Sequence, residues 1–571
     1  MNEIDWGPEQ RRAWQKNLVL QSAPRLLSAL NRCPVSASSG SFDREYWAWC
    51  VKDFANYDLQ RATAVLAWLY TTPFEGNRFY GRPAMLAWVR QAVSFWLRGQ
   101  ERGGAFDHLY PLEKSWMAAA FTLVDMTAAW DMLHEELPPA FREEWLAGMK
   151  RAAACLETRD EDHGFISNHR AGAAAGLLAF SRISGERGAR DAALRLLNGI
   201  LAHQSKDGFF QEYEGADPGY ETLGLHYLAK AHRELALAGP QPLRQRLEAA
   251  VGRSLEFLSY FVHPNGGVGG EYGSRGCPHV FLGGLEYWSA IFPLAEAICR
   301  RTTPALQQNR AAGVADSDFR NEIPLLSSAI FAAAADAKPR PFDPPTLPCE
   351  RAFERYFPEA GIYVRSEPGM AFIVVGASKG GVLKVFGNSG LVYSNDGYVA
   401  SGKRKHYTTH IWHRPEISGA PAPGEQPLRE DAELALRMPF FRFKPAREMT
   451  VPGMMAFRLF NYTLGRWQKL NGLARRLIIR LFLTQKSETS AFIERKLSFG
   501  RAGLRVSDAA HGCQGFDALS RHGFFAAVYM ASARYFRVDD FGQSWSEELV
   551  PPTGPLEELP VSNVEYGGED A

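Results

Sequence analysis

The spacing of apolar residues changes character near residue 340. Up to about Ala335, apolar residues recur every three or four positions, which is typical of helices. This spacing covers 58–70, 83–99, 115–137, 168–183, 189–205, 223–238, 242–261 and 281–301. Glycine, proline and aspartate separate these runs. The pattern predicts paired helices with short connections, forming either an open array or a closed ring.

A different pattern follows a proline-rich stretch. Residues 337–350 contain five prolines, which is typical of a boundary between domains. Beyond them, short β-branched and aromatic segments separated by turn residues predict an antiparallel sandwich. These predicted strands cover 360–366, 370–378, 381–386, 391–399, 491–499, 503–510 and 524–538. We therefore expect a helical domain at 1–340 and an antiparallel β domain at 341–571.

One segment of the second region departs from the strand pattern. Residues 464–486 carry six basic residues and no acidic one around an apolar stripe. Such a segment can be an amphipathic helix packed on the sheet with a solvated basic face. It can also contact an anionic membrane surface.

Composition narrows the function classes. The chain has 571 residues and a formal net charge of +1, so no global field favours nucleic acid as a partner. Its seven cysteines are scattered without a CxxC pair, which argues against a disulfide framework and a zinc knuckle. The first residues show no apolar signal segment. The expected location is cytoplasmic, or periplasmic or secreted if a signal has been removed.

The candidate chemistry lies at two predicted helix starts. Ser167-Asn168-His169-Arg170 and Asp217-Pro218-Gly219-Tyr220 each precede an apolar helical run. Helix N-termini carry free N–H groups and partial positive charge, which suit an anion. An amide on a carboxylate, with a phenol and an imidazole nearby, is the set that β-elimination from a uronic acid requires.

The same residues carry a family resemblance. Asn168-His169 is followed by Asp207-Gly208, Glu212, Pro218 and Tyr220, and an earlier patch has Tyr110, Pro111, Glu113 and Ser115. In these patches the chain resembles the heparinase II/III-like polysaccharide lyases, which are related to oligoalginate lyases. The resemblance implies an incomplete (α/α) toroid followed by an antiparallel β-sandwich, with the substrate in the cleft between them.

The function expected from these observations is a polysaccharide lyase acting on a uronic-acid-containing polysaccharide or oligosaccharide. Asn168 would hold the carboxylate, and Tyr220 and His169 would move protons. The glycine-rich stretch 266–279 lets backbone approach a ligand and supplies further polar groups. The predicted substrate-binding residues are Tyr110, Glu113, Arg170, Glu214, Glu271, Tyr272, Arg275 and His410.

The second region departs from the family pattern at its metal site. Family members often carry H-x-D where this chain has Gly380-Gly381-Val382-Leu383-Lys384. Asp396 and His410 alone would supply two ligands, whereas zinc normally takes three or four from protein. We expect no structural zinc and no other cofactor. His406, His410 and His413 are the candidates for a catalytic histidine of this region.

Two other function classes stay open at this stage. A glycoside hydrolase on a helical toroid needs two carboxylates flanking the bond. A non-catalytic glycan-binding or polysaccharide-assembly protein would need neither proton carrier. The carboxylates available to a hydrolase are Asp162, Glu214, Asp217 and Glu271.

Overall fold

The protein is described here by a computed structural model. The residues it describes are 6–161, 164–213, 215–335, 338, 342–387, 390–445, 449–467, 470–474, 487–500, 503–523, 526–527, 546–549 and 564–565.

Helices make up the first region, as the apolar spacing predicts. The range 83–99 matches a helix at both ends, whereas 281–301 was wrong as a single helix. The chain leaves the helix at Ser289, and Pro293 then begins a new one, because proline is tolerated in a first turn. The helices are α1 Pro8–Ala29, α2 Arg44–Trp47, α3 Ala62–Thr71, α4 Pro83–Gly99, α5 Trp116–Leu133, α6 Pro139–Thr158, α7 Ser167–Ser184, α8 Arg187–Ala202, α9 Pro218–Ala238, α10 Gln241–Ser259, α11 Leu282–Trp288, α12 Pro293–Gln307 and α13 Phe319–Ala333.

Small residues let the central helices approach one another. A Cβ at Gly172 of α7 would lie 2.8 Å from the Phe121 ring of α5, and one at Gly176 would lie 3.1 Å from the Val124 backbone. Helices α5 and α7 are accordingly buried on almost every side. Ile166 pairs with Glu212, so the starts of α7 and α9 lie at the same end of the helices.

Antiparallel strands make up most of the second region. One sheet has the order β5-β4-β3-β2-β1-β9, and the other has the order β14-β13-β6-β7-β10-β11-β12-β15, with β8 pairing to β10. The strands are β1 Phe353–Phe357, β2 Ile362–Glu367, β3 Ala371–Gly376, β4 Val382–Phe386, β5 Leu391–Asn395, β6 Tyr398–Gly402, β7 Lys405–Thr408, β8 Glu416–Ser418, β9 Gly424–Gln426, β10 Ala432–Phe443, β11 Ser487–Gly500, β12 Gly503–His511, β13 Ala518–His522, β14 Ser546–Leu549 and β15 Val564–Glu565.

Alternation along the strands gives the two sheets a common core. Tyr363, Val375 and Leu383 of the first sheet share an apolar cluster with Leu434 and Ile493 of the second. The predicted strand at 524–538 lies almost entirely outside the described residues. Helices end at Ala333 and strands begin at Phe353, while a division into two domains at 340/341 stays a prediction.

The first sheet packs against the helical region. The Phe357 ring lies 5.2 Å from that of Phe257, and the Phe353 ring lies 5.3 Å from that of Tyr260. A further helix, α14 Val451–Tyr462, lies between β10 and β11 and contacts the helical region through Phe457, whose ring lies 5.3 Å from Tyr110. The predicted amphipathic segment 464–486 is described only at 464–467 and 470–474.

Candidate active site

The start of α7 places Asn168 on a buried carboxylate. Ile166 occupies the N-cap position without a side-chain cap, so Asn168 lies inside the first turn. Its backbone N–H donates to Oε1 of Glu212 at 2.8 Å, and its amide Nδ2 donates to Oε2 at 2.6 Å. The amide oxygen Oδ1 is buried and has no hydrogen-bond partner among the described residues. Glu212 therefore fixes the position of the amide and leaves one of its polar atoms uncommitted.

Glu212 is itself fully buried. Burial raises its pKa well above the ordinary value, and the hydrogen bonds from Asn168 only partly oppose this. The raised pKa favours the protonated carboxyl group, which can donate a hydrogen bond as well as accept one.

His169 is oriented by a second carboxylate. Its Nδ1 lies 2.7 Å from Oε2 of Glu161, whose side chain is completely buried. The imidazole also meets the Phe121 ring edge-on at 5.3 Å. A proton on Nδ1 donates to Glu161 and leaves Nε2 with a lone pair, so the pair fixes the tautomer of the ring.

The start of α9 is organised by Asp217, as its sequence predicts. Asp217 is the N-cap, Pro218 follows it, and Oδ1 accepts from the Tyr220 backbone N–H at 3.0 Å. Oδ2 accepts from the Arg275 backbone N–H at 2.8 Å. Asp217 is fully buried, and these N–H groups occupy its carboxylate. Tyr220 itself is half-buried beside the helical core.

The glycine-rich stretch wraps closely around this helix start. A Cβ at Gly269 would lie 3.0 Å from the Gly219 backbone N, and one at Gly273 would lie 2.7 Å from Asp217. Gly269 also has a φ of +76°, which L side chains rarely adopt. The glycines of the stretch 266–279 thus allow it to pack closely against the start of α9. The Arg275 guanidinium from this stretch stacks over the Tyr213 ring at 3.5 Å.

Residues of the second region also contact the turn before α9 and the glycine-rich stretch 266–279. The Trp412 indole covers Gly215, where an added Cβ would lie 2.5 Å from Nε1. The Lys379 Nζ donates to the Ser274 carbonyl at 2.7 Å. The ammonium of Lys384 lies 2.8 Å from Glu271 and 2.8 Å from Asp396. Hence the strand region closes over the turn before α9.

Several predicted substrate contacts have other roles here. Arg170 donates to the Gly164 carbonyl at 3.2 Å and pairs with Asp160 at 3.1 Å, so it holds the turn before α7. Glu113 accepts the backbone N–H groups of His108 and Leu109 and is buried.

Two further predicted substrate contacts are buried and bonded to protein groups. Tyr272 is 1% exposed, and its hydroxyl bonds Nε2 of His263 at 2.8 Å. His410 is 2% exposed, and its Nδ1 bonds the Asp396 carbonyl at 2.8 Å. Burial lowers the pKa of His410 well below its ordinary value, which disfavours a charged imidazole there.

Both of the described carboxylates proposed for a glycoside hydrolase make structural contacts. Asp217 caps α9, and Glu271 is paired with Lys384. Asp162 and Glu214 lie outside the described residues, so the predicted role of Glu214 in substrate binding stays a prediction. Within the described ranges, no cluster of three or more His, Cys, Asp or Glu could hold a metal ion.

The histidines of the second region are spread over different settings. His406 lies on β7 with its ring 6.3 Å from Phe443, and the Nδ1 of His413 lies 3.0 Å from the Ile411 carbonyl. Sequence reasoning did not find Glu161, which lies eight positions before His169. It also did not find Trp412 and Lys384, which reach the site from the second region.

Comparison with known proteins identifies the fold. No protein-family model matches the chain, and no curated protein matches it significantly. The chondroitin AC lyase of Streptomyces coelicolor A3, solved with chondroitin sulphate, is similar with a TM-score of 0.52 at 12% identity, over 90% of this chain and 67% of that one. The chain therefore has a polysaccharide lyase fold, which confirms the fold-level expectation from the motif patches.

Two further lyases are similar at lower scores. A Paenibacillus xanthan lyase gives a TM-score of 0.48 at 12% identity, over 90% of this chain and 46% of that one. The heparan sulfate lyase HepC of Pedobacter heparinus gives 0.41 at 12% identity, over 89% and 70%. The chain thus spans about half the length of the xanthan lyase.

Proposed function

We propose that this chain cleaves a uronic-acid-containing polysaccharide by β-elimination, in a cleft between an incomplete (α/α) toroid and a β-sandwich. The polysaccharide lyase fold supports the class of enzyme. The observation that carries the proposal is the start of α7, where Asn168 is held by buried Glu212 and the next residue, His169, is held by Glu161. An amide and an imidazole fixed side by side are suited to a carboxylate and to its neighbouring C5 proton.

Asn168 neutralises the substrate carboxylate. Removal of the C5 proton makes an enolate, so a donor on the carboxylate oxygen strengthens as negative charge develops. A half-turn of the amide lets protonated Glu212 donate to Oδ1 and directs both Nδ2 protons toward the ligand. The short 2.6 Å contact and the unpartnered Oδ1 support this arrangement. It leaves no buried amide oxygen unsatisfied, a defect that costs about 1–3 kcal/mol.

His169 and Tyr220 divide the proton transfers. Nε2 of His169 accepts the C5 proton, since Glu161 holds the other nitrogen. The C4–O bond then breaks, the C4–C5 double bond forms, and the phenol of Tyr220 gives its proton to the departing oxygen. A phenol keeps its proton near neutral pH, with an ordinary pKa of about 10, so it is suited to the acid step. Solvent restores both groups afterwards.

The remaining substrate contacts come from the rim of the site. Tyr110 lies on the loop before α5, and Arg275 lies beside the start of α9. An aromatic face suits a sugar ring. A guanidinium suits a carboxylate or sulfate.

A panel of uronic-acid polysaccharides tests the proposal. Elimination creates an unsaturated uronate that absorbs in the ultraviolet, so absorbance should rise on the right polymer. Tyr220→Phe should lower kcat by about a hundredfold or more, the usual size of an acid–base contribution. Asn168→Ala should lower it by a similar factor, since a lost donor to developing charge costs about 3 kcal/mol.

Tyr80→Phe is the matched control, because this tyrosine is half exposed on the loop between α3 and α4. It should turn over like the unaltered protein. Cleavage that yields new reducing ends without ultraviolet absorbance would contradict elimination. Unchanged turnover by Tyr220→Phe would contradict the role of the phenol.

A further inference from the structure

A cavity lies between the later halves of five helices of the first region. Its volume is about 590 Å³, which is within the range of small-molecule sites. The helices are α3, α5, α7, α9 and α13, which contribute Trp68, Ala128, Ala179, Lys230 and Ile330, among others. A space of this size between packed helices can hold a small organic molecule.

The cavity is separate from the candidate active site. Lys230 follows Tyr220 by ten positions on α9, which is about 15 Å along the helix axis. Arg182 follows Asn168 by fourteen positions on α7, which is about 21 Å. The described residues that line the cavity include none of the three proposed catalytic ones. A ligand held here is therefore distinct from a substrate at the starts of α7 and α9.

A buried ammonium at this cavity has unused hydrogen-bond donors. The side chain of Lys230 is 8% exposed, and its one acceptor among the described residues is Oδ1 of Asp125, at 3.4 Å. Asp125 accepts closer hydrogen bonds from Arg61 at 2.8 Å and from Ser327 at 2.6 Å. An ammonium can donate three hydrogen bonds. Lys230 can therefore donate to an acceptor that enters the cavity.

The acidic side chains of the cavity are already paired. Four basic and two acidic residues line it. The acidic ones, Asp131 and Glu234, both pair with Arg182, at 2.6 Å and 2.7 Å. These pairs leave an excess of positive charge at the wall, so an anion is favoured over a cation as the ligand.

Lys230 itself lies in an electropositive setting. Burial lowers its pKa; Asp125 opposes this, whereas the charges of Arg233 and Arg61 lower the pKa further. The Arg233 side chain is 48% exposed and stacks over the Phe331 ring at 5.1 Å, so it lies at the outer edge of the cavity. An anion bound beside Lys230 would stabilise the charged ammonium.

Apolar groups form much of the remaining wall. Trp68, Val124, Ala179 and Ile330 line the cavity from four different helices. Such a wall stabilises hydrocarbon through burial and offers ordered water few partners. A bare inorganic anion would match the charge of the cavity but leave this wall without a partner. The lining thus fits an anion that carries an apolar body.

We propose that this cavity binds a small organic carboxylate, with the carboxylate on Lys230 and the hydrocarbon against Trp68 and Ile330. The site does not depend on the proposed elimination reaction.

Isothermal titration calorimetry of the full chain tests the proposal. Hexanoate and phenylpropionate are the probes, and at least one should bind with one molecule per chain. The matching alcohols, hexanol and phenylpropanol, should bind at least about tenfold more weakly, because they lack the charge that faces Lys230. Acetate should also bind more weakly than either probe, because it buries almost no hydrocarbon.

Two variants locate the probe within the protein. Lys230→Met removes the ammonium while Asp125 keeps Arg61 as its cation, and it should weaken binding about tenfold or more. Ala128→Phe keeps every charge and narrows the cavity, because Ala128 is a partly exposed part of its wall. It should weaken binding as well. Lys150→Met, at an exposed lysine of α6, is the matched control and should bind as the unaltered chain does.

Asn168→Ala separates this cavity from the candidate active site, which also suits a carboxylate. It should leave binding of the probe unchanged. The proposal is overturned if neither carboxylate binds, if Lys230→Met binds as well as Lys150→Met, or if Asn168→Ala abolishes binding. Thermal unfolding shows whether Lys230→Met is folded. If it is not, Ala128→Phe decides, and unchanged binding by that variant overturns the proposal.

Discussion

At the scale of single residues, Glu212 decides the character of the candidate site. Burial raises its pKa well above the ordinary value, which favours the neutral form. Turnover should therefore fall as rising pH ionises Glu212. Glu212→Gln can donate to Asn168 as the protonated acid does, so it should keep activity within a few-fold and lose that alkaline limb. Profiles of kcat against pH measure both effects.

Glu212→Ala is the contrasting variant, because it can neither donate nor accept. It should lower kcat by about a hundredfold, similar to the loss of a preorganised donor. A Glu212→Gln protein as inactive as Glu212→Ala would show that the ionised carboxylate is required.

Glu221 supplies a separate prediction about stability. It is buried, accepts from the Phe210 backbone N–H and Ser254, and has a pKa raised to about 8. The unfolded chain ionises this group near 4.5. Its contribution to stability is therefore complete below that pH and is lost as pH rises toward 8, by at most about 1.4 kcal/mol per pH unit.

Glu221→Gln should flatten the fall in the free energy of unfolding between pH 5 and pH 8, as measured by denaturant titration at several pH values. Glu75→Gln, at an exposed position, should leave that dependence as it is. An equally steep fall of the free energy of unfolding in Glu221→Gln would show that another group causes the pH dependence.

Sequence predicts the local chemistry of the site better than its long-range contacts. Asp217 and Pro218 act within four residues of each other, so cap and first turn follow from adjacent sequence. Glu212 and Asn168 are 44 positions apart, and their contact depends on how α7 and α9 pack. The glycine-rich stretch around Tyr272 was predicted to contact a ligand. Glycines allow the backbone to approach another group closely, but the sequence does not say whether that group is a ligand or another part of the protein.

At the scale of elements, one lysine on β4 clamps the strand region to the glycine-rich stretch. Lys384 is almost fully buried between Glu271 and Asp396, and it donates to Ser394 at 2.7 Å. Lys384→Met would leave two carboxylates without their cation. It should lower the free energy of unfolding by about 3–5 kcal/mol, the usual result of breaking a buried pair.

Chemical denaturation measures this loss, and Lys150→Met is the matched control. Lys150 pairs with Glu186 on the surface, with its own side chain 64% exposed, so its loss should cost much less than that of Lys384. Adding Glu271→Gln to Lys384→Met should recover part of the stability. Equal effects of Lys384→Met and Lys150→Met would contradict the clamp.

Several helices and strands with clear periodicity were predicted, and the errors have physical causes. The range 391–399 was wrong as one strand, because β5 and β6 lie in different sheets. Residues 281–301 have continuous apolar spacing, yet Pro293 cannot continue a helix that arrives from Trp288. Helix α14 was missed because Val451-Pro452-Gly453 resembles a turn, although proline in a first turn starts the helix.

At the scale of the whole molecule, the order of helices before strands follows from local patterns, but the closing of one region over the other does not. Trp412 and Gly215 meet across almost two hundred positions through shape alone. No sequence motif predicts that contact, because a tryptophan followed by a histidine in sequence occurs in many different structural environments.

The first helix also constrains how the protein is made. Arg11 of α1 is fully buried and bonds Glu286 and Glu296, which follow it by 275 and 285 positions. During synthesis its guanidinium stays hydrated until those carboxylates leave the ribosome. Helix α1 therefore emerges long before these two of its final neighbours. A ribosome that stalls before residue 286 would release a chain with this helix unanchored, a natural substrate for chaperones.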